Sequence, residues 1–220
     1  MPKTTGGWPD LDVMEEAESV RVSSAEIGAG SSEWLGGPDN EPPNKRNVQN
    51  SLGKHRIAYF ACHGVSDAAD PSNSGLLLAD GGDGQPERLT ARDIADLSLK
   101  HAELAYLSAC HTADNESEDL MDEVIHLAST LQVIGFPHVV GTMWQADDKA
   151  ANNIARIFFK KVAAQMRVAR KIGTSNVAPD YAYALHQAVK TVRDGHADGG
   201  RWKNASDNVT VWAPFIHIGC

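Results

Sequence analysis

Charge-free apolar runs of strand length punctuate this chain, and two of them end on residues able to do chemistry. The first, Ile57-Ala-Tyr-Phe-Ala-Cys-His63-Gly64, closes on an imidazole; the second, Leu104-Ala-Tyr-Leu-Ser-Ala-Cys110-His111-Thr112, closes on a thiol. An uninterrupted run of this kind predicts a strand buried on both faces, as in a parallel sheet covered by helices. Shorter runs at 76–79, 139–143 and 215–218 predict further strands. Apolar residues at helical spacing mark three helices. One covers 122–134 through Val124, Leu127, Ala128, Leu131 and Ile134 and is stopped by Gly135 and Pro137. A long one starts at Asp147 and carries Ala151, Ile154, Ala155, Phe158 and Val162 on its inner face, and a third covers 180–193. Thr90-x-x-Asp93 fits a capping box opening a short helix through Leu97, which returns the chain to the second apolar run. This is a right-handed crossover between parallel strands, and the fold class is α/β.

The remaining segments are less regular. Val13, Ala17 and Val20 stand at helical spacing in 12–20, and Val20-Arg-Val22 reads as a strand following that helix. Residues 23–47, with Gly36-Gly-Pro-Asp-Asn-Glu-Pro-Pro43, read as a long flexible loop inside a single domain spanning 1–220. Polar residues make 65–74 a loop flanking the end of the first run, and 80–84 is a turn. The acidic stretch 114–119 reads as solvated surface, and 167–177 as a basic connector.

Composition narrows the class. A net charge of −9, from 20 basic and 29 acidic residues, argues against nucleic-acid binding, which needs clustered Lys and Arg. No apolar stretch approaches the roughly 20 residues of a membrane-spanning helix, and the first residues carry no signal-peptide core. Three cysteines, Cys62, Cys110 and Cys220, are too few for a disulfide framework, so the expected location is the reducing cytoplasm.

The two strand ends suggest a chemistry. In open α/β sheets ligands bind at the carboxyl ends of the strands, where neighbouring strands would bring His63 and Cys110 together. A thiol with a pKa near 8.5 is only slightly ionised at neutral pH, and an adjacent imidazole can take its proton. Cys110 is then the nucleophile and His63 the general base. Gly64, without a Cβ, lets its N–H approach a substrate carbonyl, and with the N–H of Cys110 it would form an oxyanion hole. Cys62 points to the opposite face of its strand from His63, into the core. The same alternation lets each of the dipeptides Cys62-His63 and Cys110-His111 offer one ligand to a common centre, and two ligands do not make a structural zinc site. No metal or cofactor is expected.

An apolar block closing on His-Gly, followed 47 residues later (110 − 63) by one closing on Ala-Cys, resembles caspase-type cysteine peptidases. Phe60-Ala-Cys-His-Gly64 and Leu107-Ser-Ala-Cys-His-Thr112 more specifically resemble the CHAT domain family, as do Gly75-Leu-Leu-Leu-Ala-Asp80, Leu89-Thr-Ala-Arg-Asp93, Gly135-Phe-Pro-His-Val-Val-Gly-Thr-Met-Trp144 and Trp212-Ala-Pro-Phe215, in the family's order. The resemblance implies a three-layer caspase-like fold, with a mostly parallel sheet and helices on both faces. It implies a cysteine endopeptidase acting on a protein or peptide substrate, with Ser108 lining the pocket for the residue before the cleaved bond. It also implies a tetratricopeptide-type repeat region as partner in the parent polypeptide. A catalytically silent interaction or signalling module on the same fold is the alternative. The family pattern sets an apolar strand upstream of the first residues here, so the domain's first strand is expected to be missing from this chain. The strand at 20–22 would then lack a ladder partner.

Overall fold

The computed structural model describes residues 13–25, 27, 32–37, 40–65, 67, 69–80, 84–97, 99–108, 120–144, 146–174, 178–195 and 208–219. These fall into two compact units, one built mainly from Glu33–Gln145, the other from Met14–Ser32 and Ala146–His217.

The first unit holds the sheet that the apolar runs predict. β1 (Ile57–Ala61) and β5 (Leu104–Ser108) pair in parallel, and β5 pairs in parallel with β6 (His138–Thr142). The order is β1-β5-β6-β7, and β7 (Phe215–Gly219) brings Ile218 to the core of this unit. This is an α/β fold with a mostly parallel four-stranded sheet flanked by helices. β5 is buried on both faces, as an unbroken apolar run requires. On one face Phe60, Ala105, Leu107 and Val139 pack with helices α2 (Lys45–Leu52), α3 (Ala91–Ala95) and α4 (Leu120–Val133), through Val48, Leu52, Ile94, Leu127, Ala128 and Leu131. On the other, Leu104, Tyr106 and Val140 are almost wholly enclosed. Burying a side chain such as Leu107 contributes about 1.5–3 kcal/mol.

A second, antiparallel sheet lies in the same unit, in the order β2-β3-β4: β2 (Gly64–Val65), β3 (Gly75–Asp80) and β4 (Pro86–Thr90). Of these strands the sequence pattern predicts only β3. The Thr90 capping box forms as expected: its hydroxyl accepts from the Asp93 N–H while the Asp93 carboxylate accepts from the Thr90 N–H. Burial pushes the Asp93 carboxyl up, but hydrogen bonds from Thr90 and Lys45 outweigh it and hold the group below its ordinary range.

Two expectations fail around the proline-rich segment. The run 20–22 is not a strand, because helix α1 (Met14–Ala25) continues through it. A strand would put Val20 and Val22 on one face, whereas here Val20 is 5% exposed and Val22 55%. The buried positions Val13, Glu16, Val20 and Ser23 instead keep helical spacing, and Glu18 pairs with Arg21 one turn on. With no strand at 20–22, the argument from a missing ladder partner falls. The loop at 23–47 is also shorter than expected, since α1 takes 23–25 and α2 takes 45–47. The Asn44 side chain caps α2 by accepting from Asn47 N–H at 2.9 Å, and Val48 and Leu52 bury one stripe.

In the second unit α5 (Asp148–Lys171) packs with α1 and with α6 (Tyr181–Arg193). Asp147 and Asp180 cap α5 and α6 with their side chains. Phe158 stacks on Tyr181 and meets Phe159 edge-on at 5.1 Å. Residues 167–171, expected as connector, are helical. Their Met, Arg, Ala and Lys neighbours favour helix, and cations in the last turn complement its dipole. The helix stops where Gly173 takes φ 75° and Thr174 N–H bonds back to the Ala169 carbonyl at 2.8 Å. A short helix α7 (Val209–Trp212), not predicted, precedes β7. No helix among the described residues is long and apolar enough to cross a membrane.

Candidate active site

β1 and β5 run in register over five consecutive pairs, from Ile57 opposite Leu104 to Ala61 opposite Ser108. Paired side chains share a face, and the Tyr59 and Tyr106 rings meet at 5.5 Å. Beyond β1, Cys62 continues the face of Phe60 and is buried in the core with it. His63 has the opposite parity and is fully buried. Ser108, 3% exposed, closes β5 on the face of Tyr106. The structure therefore puts His63 and Ser108 at corresponding ends of adjacent strands. Cys110, His111 and the acidic stretch 114–119 lie outside the described residues.

His63 is also the point where the chain leaves one sheet for the other. Its carbonyl accepts from the Leu77 N–H at 2.8 Å, the first bond of the β2–β3 ladder. That bond makes Gly64 and Leu76 a non-hydrogen-bonded pair, so the Gly64 N–H is directed away from β3. In the sequence only the missing Cβ of Gly64 pointed to an oxyanion donor; the ladder adds that its N–H is not used in pairing with β3.

Sequence reasoning recognised 65–74 as a polar loop beside the site but missed how it is held. The Asp67 N–H donates to the hydroxyl of buried Ser74 at 3.0 Å, and Asp67 Oδ1 accepts from the N–H groups of Ala69 and Asp70 at 3.0 and 2.9 Å. Asp70 Oδ1 accepts from the Ser72 N–H and hydroxyl, while Arg92 Nη2 reaches Asp70 Oδ2 and Ser72 Oγ. Bonds from the Asp70 N–H to Asp67, and from the Ser72 hydroxyl to Asp70, are the leading causes holding both carboxyls below their ordinary range. A depressed carboxyl supports the fold above the unfolded value and loses that effect as pH falls through the folded one, so what these two groups contribute is present at neutral pH and lost in acid.

The sequence profile of the CHAT domain family matches residues 6–220. The chain belongs to the CHAT domain family. The domain is caspase-like and peptidase-related, and its parallel sheet carries His63 at a strand end. No curated protein matches the chain. Among the described residues of this CHAT domain, no group of three or more His, Cys, Asp or Glu could hold a metal ion.

Burial pushes the Cys62 thiol up to about 11, so at neutral pH it is neither thiolate nor accessible. If Cys110 is the nucleophile that the sequence argument assigns, Cys62→Ala leaves peptide cleavage within about twofold of wild type and costs roughly 1 kcal/mol, measured by thermal unfolding, because it removes a small buried group. Loss of cleavage in a folded Cys62→Ala protein would mean that the wrong thiol has been assigned.

Proposed function

We propose that this CHAT domain is a cysteine endopeptidase cleaving a protein substrate by acyl transfer. His63 takes the proton of Cys110 as the sulfur attacks the scissile carbonyl carbon, and the N–H groups of Gly64 and Cys110 bind the resulting oxyanion. Collapse of that intermediate breaks the C–N bond, and His63 returns its proton to the departing amine. His63 then deprotonates a water that attacks the thioester, releasing the new carboxyl end and restoring the thiol. Ser108, two residues before the nucleophile, lines the pocket for the preceding substrate side chain. It carries no charge, so no strict preference for a basic or acidic residue follows.

The observation that supports this reading is the strand register. Each β1 residue pairs with the β5 residue 47 positions later, from 57 with 104 to 61 with 108, and 47 is also the separation of His63 and Cys110. His63 stands two residues beyond the last pair and shares the parity of Tyr59 and Ala61. The test is peptide-library cleavage profiling of the intact protein beside Cys110→Ala. A residue-selective pattern present only in the wild type is expected; identical profiles would sink the proposal.

A second reading rests on a different observation. His63 is 0% exposed, which suits a silent caspase-fold module whose imidazole is closed to substrate. A tetratricopeptide-type repeat region of the parent polypeptide is the partner proposed under either reading.

A further inference from the structure

We infer that Asp67 and Ser74 are positioning residues that fix the direction of the Gly64 N–H; the inference rests on the peptidase reading above. Gly64 and Val65 form a strand of two residues, held to β3 by their pairs Leu76 and Gly75 and by the bond from Leu77 to His63. So short a ladder gains a second constraint from the connection that follows. Ser74, 1% exposed, accepts from the Asp67 N–H through its hydroxyl and from the Ala91 N–H through its carbonyl at 2.8 Å. Asp67 folds 67–70 around its carboxylate, and Asn73 Nδ2 reaches its second oxygen at 3.4 Å. Arg92 ties the far side of the loop to the first turn of α3 through Asp70 and Ser72. The loop is thereby anchored to an element already fixed by its capping box and by the ion pair from Lys45 to Asp93 at 2.9 Å.

The bonds run from α3 through Ser74 to Asp67, and Gly64 stands three residues before Asp67 and next to Val65, which pairs with Gly75 beside Ser74. An oxyanion donor works only when aimed at where the charge develops, and removal of one such donor typically costs about 10²–10³-fold in kcat. Loosening the loop should misdirect the donor without touching the thiol. A loop held only for stability would lower every activity of the folded protein in proportion to the folded fraction.

The test compares wild type with Asp67→Ala, Ser74→Ala and Asp67→Asn. Three quantities are read: kcat and KM on the best library peptide, the rate of Cys110 alkylation by iodoacetamide, and exchange of the Leu77 amide, which donates to His63. Asp67→Ala and Ser74→Ala should lower kcat roughly 10- to 100-fold with KM and alkylation within about twofold. Asp67→Asn, which keeps the oxygen accepting from Ala69 and Asp70, should stay within about threefold of wild type. Wild-type kcat in Asp67→Ala, or cleavage and alkylation falling together, overturns the inference. If the wild type cleaves nothing in the library, the peptidase reading has failed, and the clamp is judged on exchange alone. Faster Leu77 exchange in Asp67→Ala then upholds the clamp, and unchanged exchange overturns it.

Discussion

Cys110→Ala and His63→Ala are each expected to lower kcat/KM on the best library peptide by on the order of 10⁴-fold or more, with the double variant no worse than either. In a Cys-His dyad nucleophile and base act as one unit: without the base the thiol is mostly protonated, and without the thiol the base has nothing to activate. Losses that act together in this way do not add. A bystander histidine at the end of a strand would instead give a modest loss through stability, and that loss would add to the loss from Cys110→Ala. Each variant's far-ultraviolet dichroism and melting temperature separate the two cases. Substantial turnover in a folded single variant would remove the dyad.

Gly75→Ala carries the largest expected effect on the fold. A Cβ built at Gly75 would lie 2.8 Å from the Leu89 carbonyl carbon and 2.9 Å from Thr90 Cα, and closer still to the Leu89 carbonyl oxygen. All three are backbone atoms of β4, so no rotamer relieves the clash and the strands must separate. Overpacking against mobile side chains costs about 1–3 kcal/mol. Against backbone, roughly 3 kcal/mol or more is expected, a fall in melting temperature of about 10 °C for a chain of this size. Because β3 also carries β2, the variant should lose cleavage together with protection of the Leu77 amide. Gly84→Ala is the control. Nothing lies within 4 Å of its Cβ, and only its φ of +81° opposes a side chain, at about 1–2 kcal/mol. Equal melting temperatures for Gly75→Ala and wild type would contradict the close approach of β3 and β4.

These two positions also show what a sequence reveals. His63 ends a charge-free run of strand length, and with the matching run before Cys110 it pointed to the parallel β1–β5 pairing. The capping box at Thr90 was equally legible, because its two reciprocal bonds need only residues three apart. Gly75 was not, since nothing in its neighbours tells how near β4 comes. The small sheet stayed hidden for a related reason: two residues, Gly64 and Val65, cannot display a period of two, and Pro86-Glu-Arg-Leu-Thr90 is too polar to read as apolar alternation. At α1 the β-branched Val20 and Val22 suggested a strand, and the packing of Val20 and Ser23 along one helical stripe overrode that propensity. In α2 the signal was present in Asn44, Val48 and Leu52 but began at the end of a segment rich in proline and glycine. The loop clamp depends on which of several polar residues turn inward, which composition does not encode.

The most direct measurement of the central claim is iodoacetamide labelling at graded pH, with each cysteine followed by mass spectrometry in wild type and His63→Ala. The dyad predicts that Cys110 alkylation has a midpoint well below pH 8.5 in the wild type and moves up towards 8.5 without the imidazole. Cys62, buried and with its pKa near 11, should stay unlabelled throughout that range. A Cys110 midpoint near 8.5 in both proteins, or equal labelling of all three cysteines, would contradict a thiolate activated by His63.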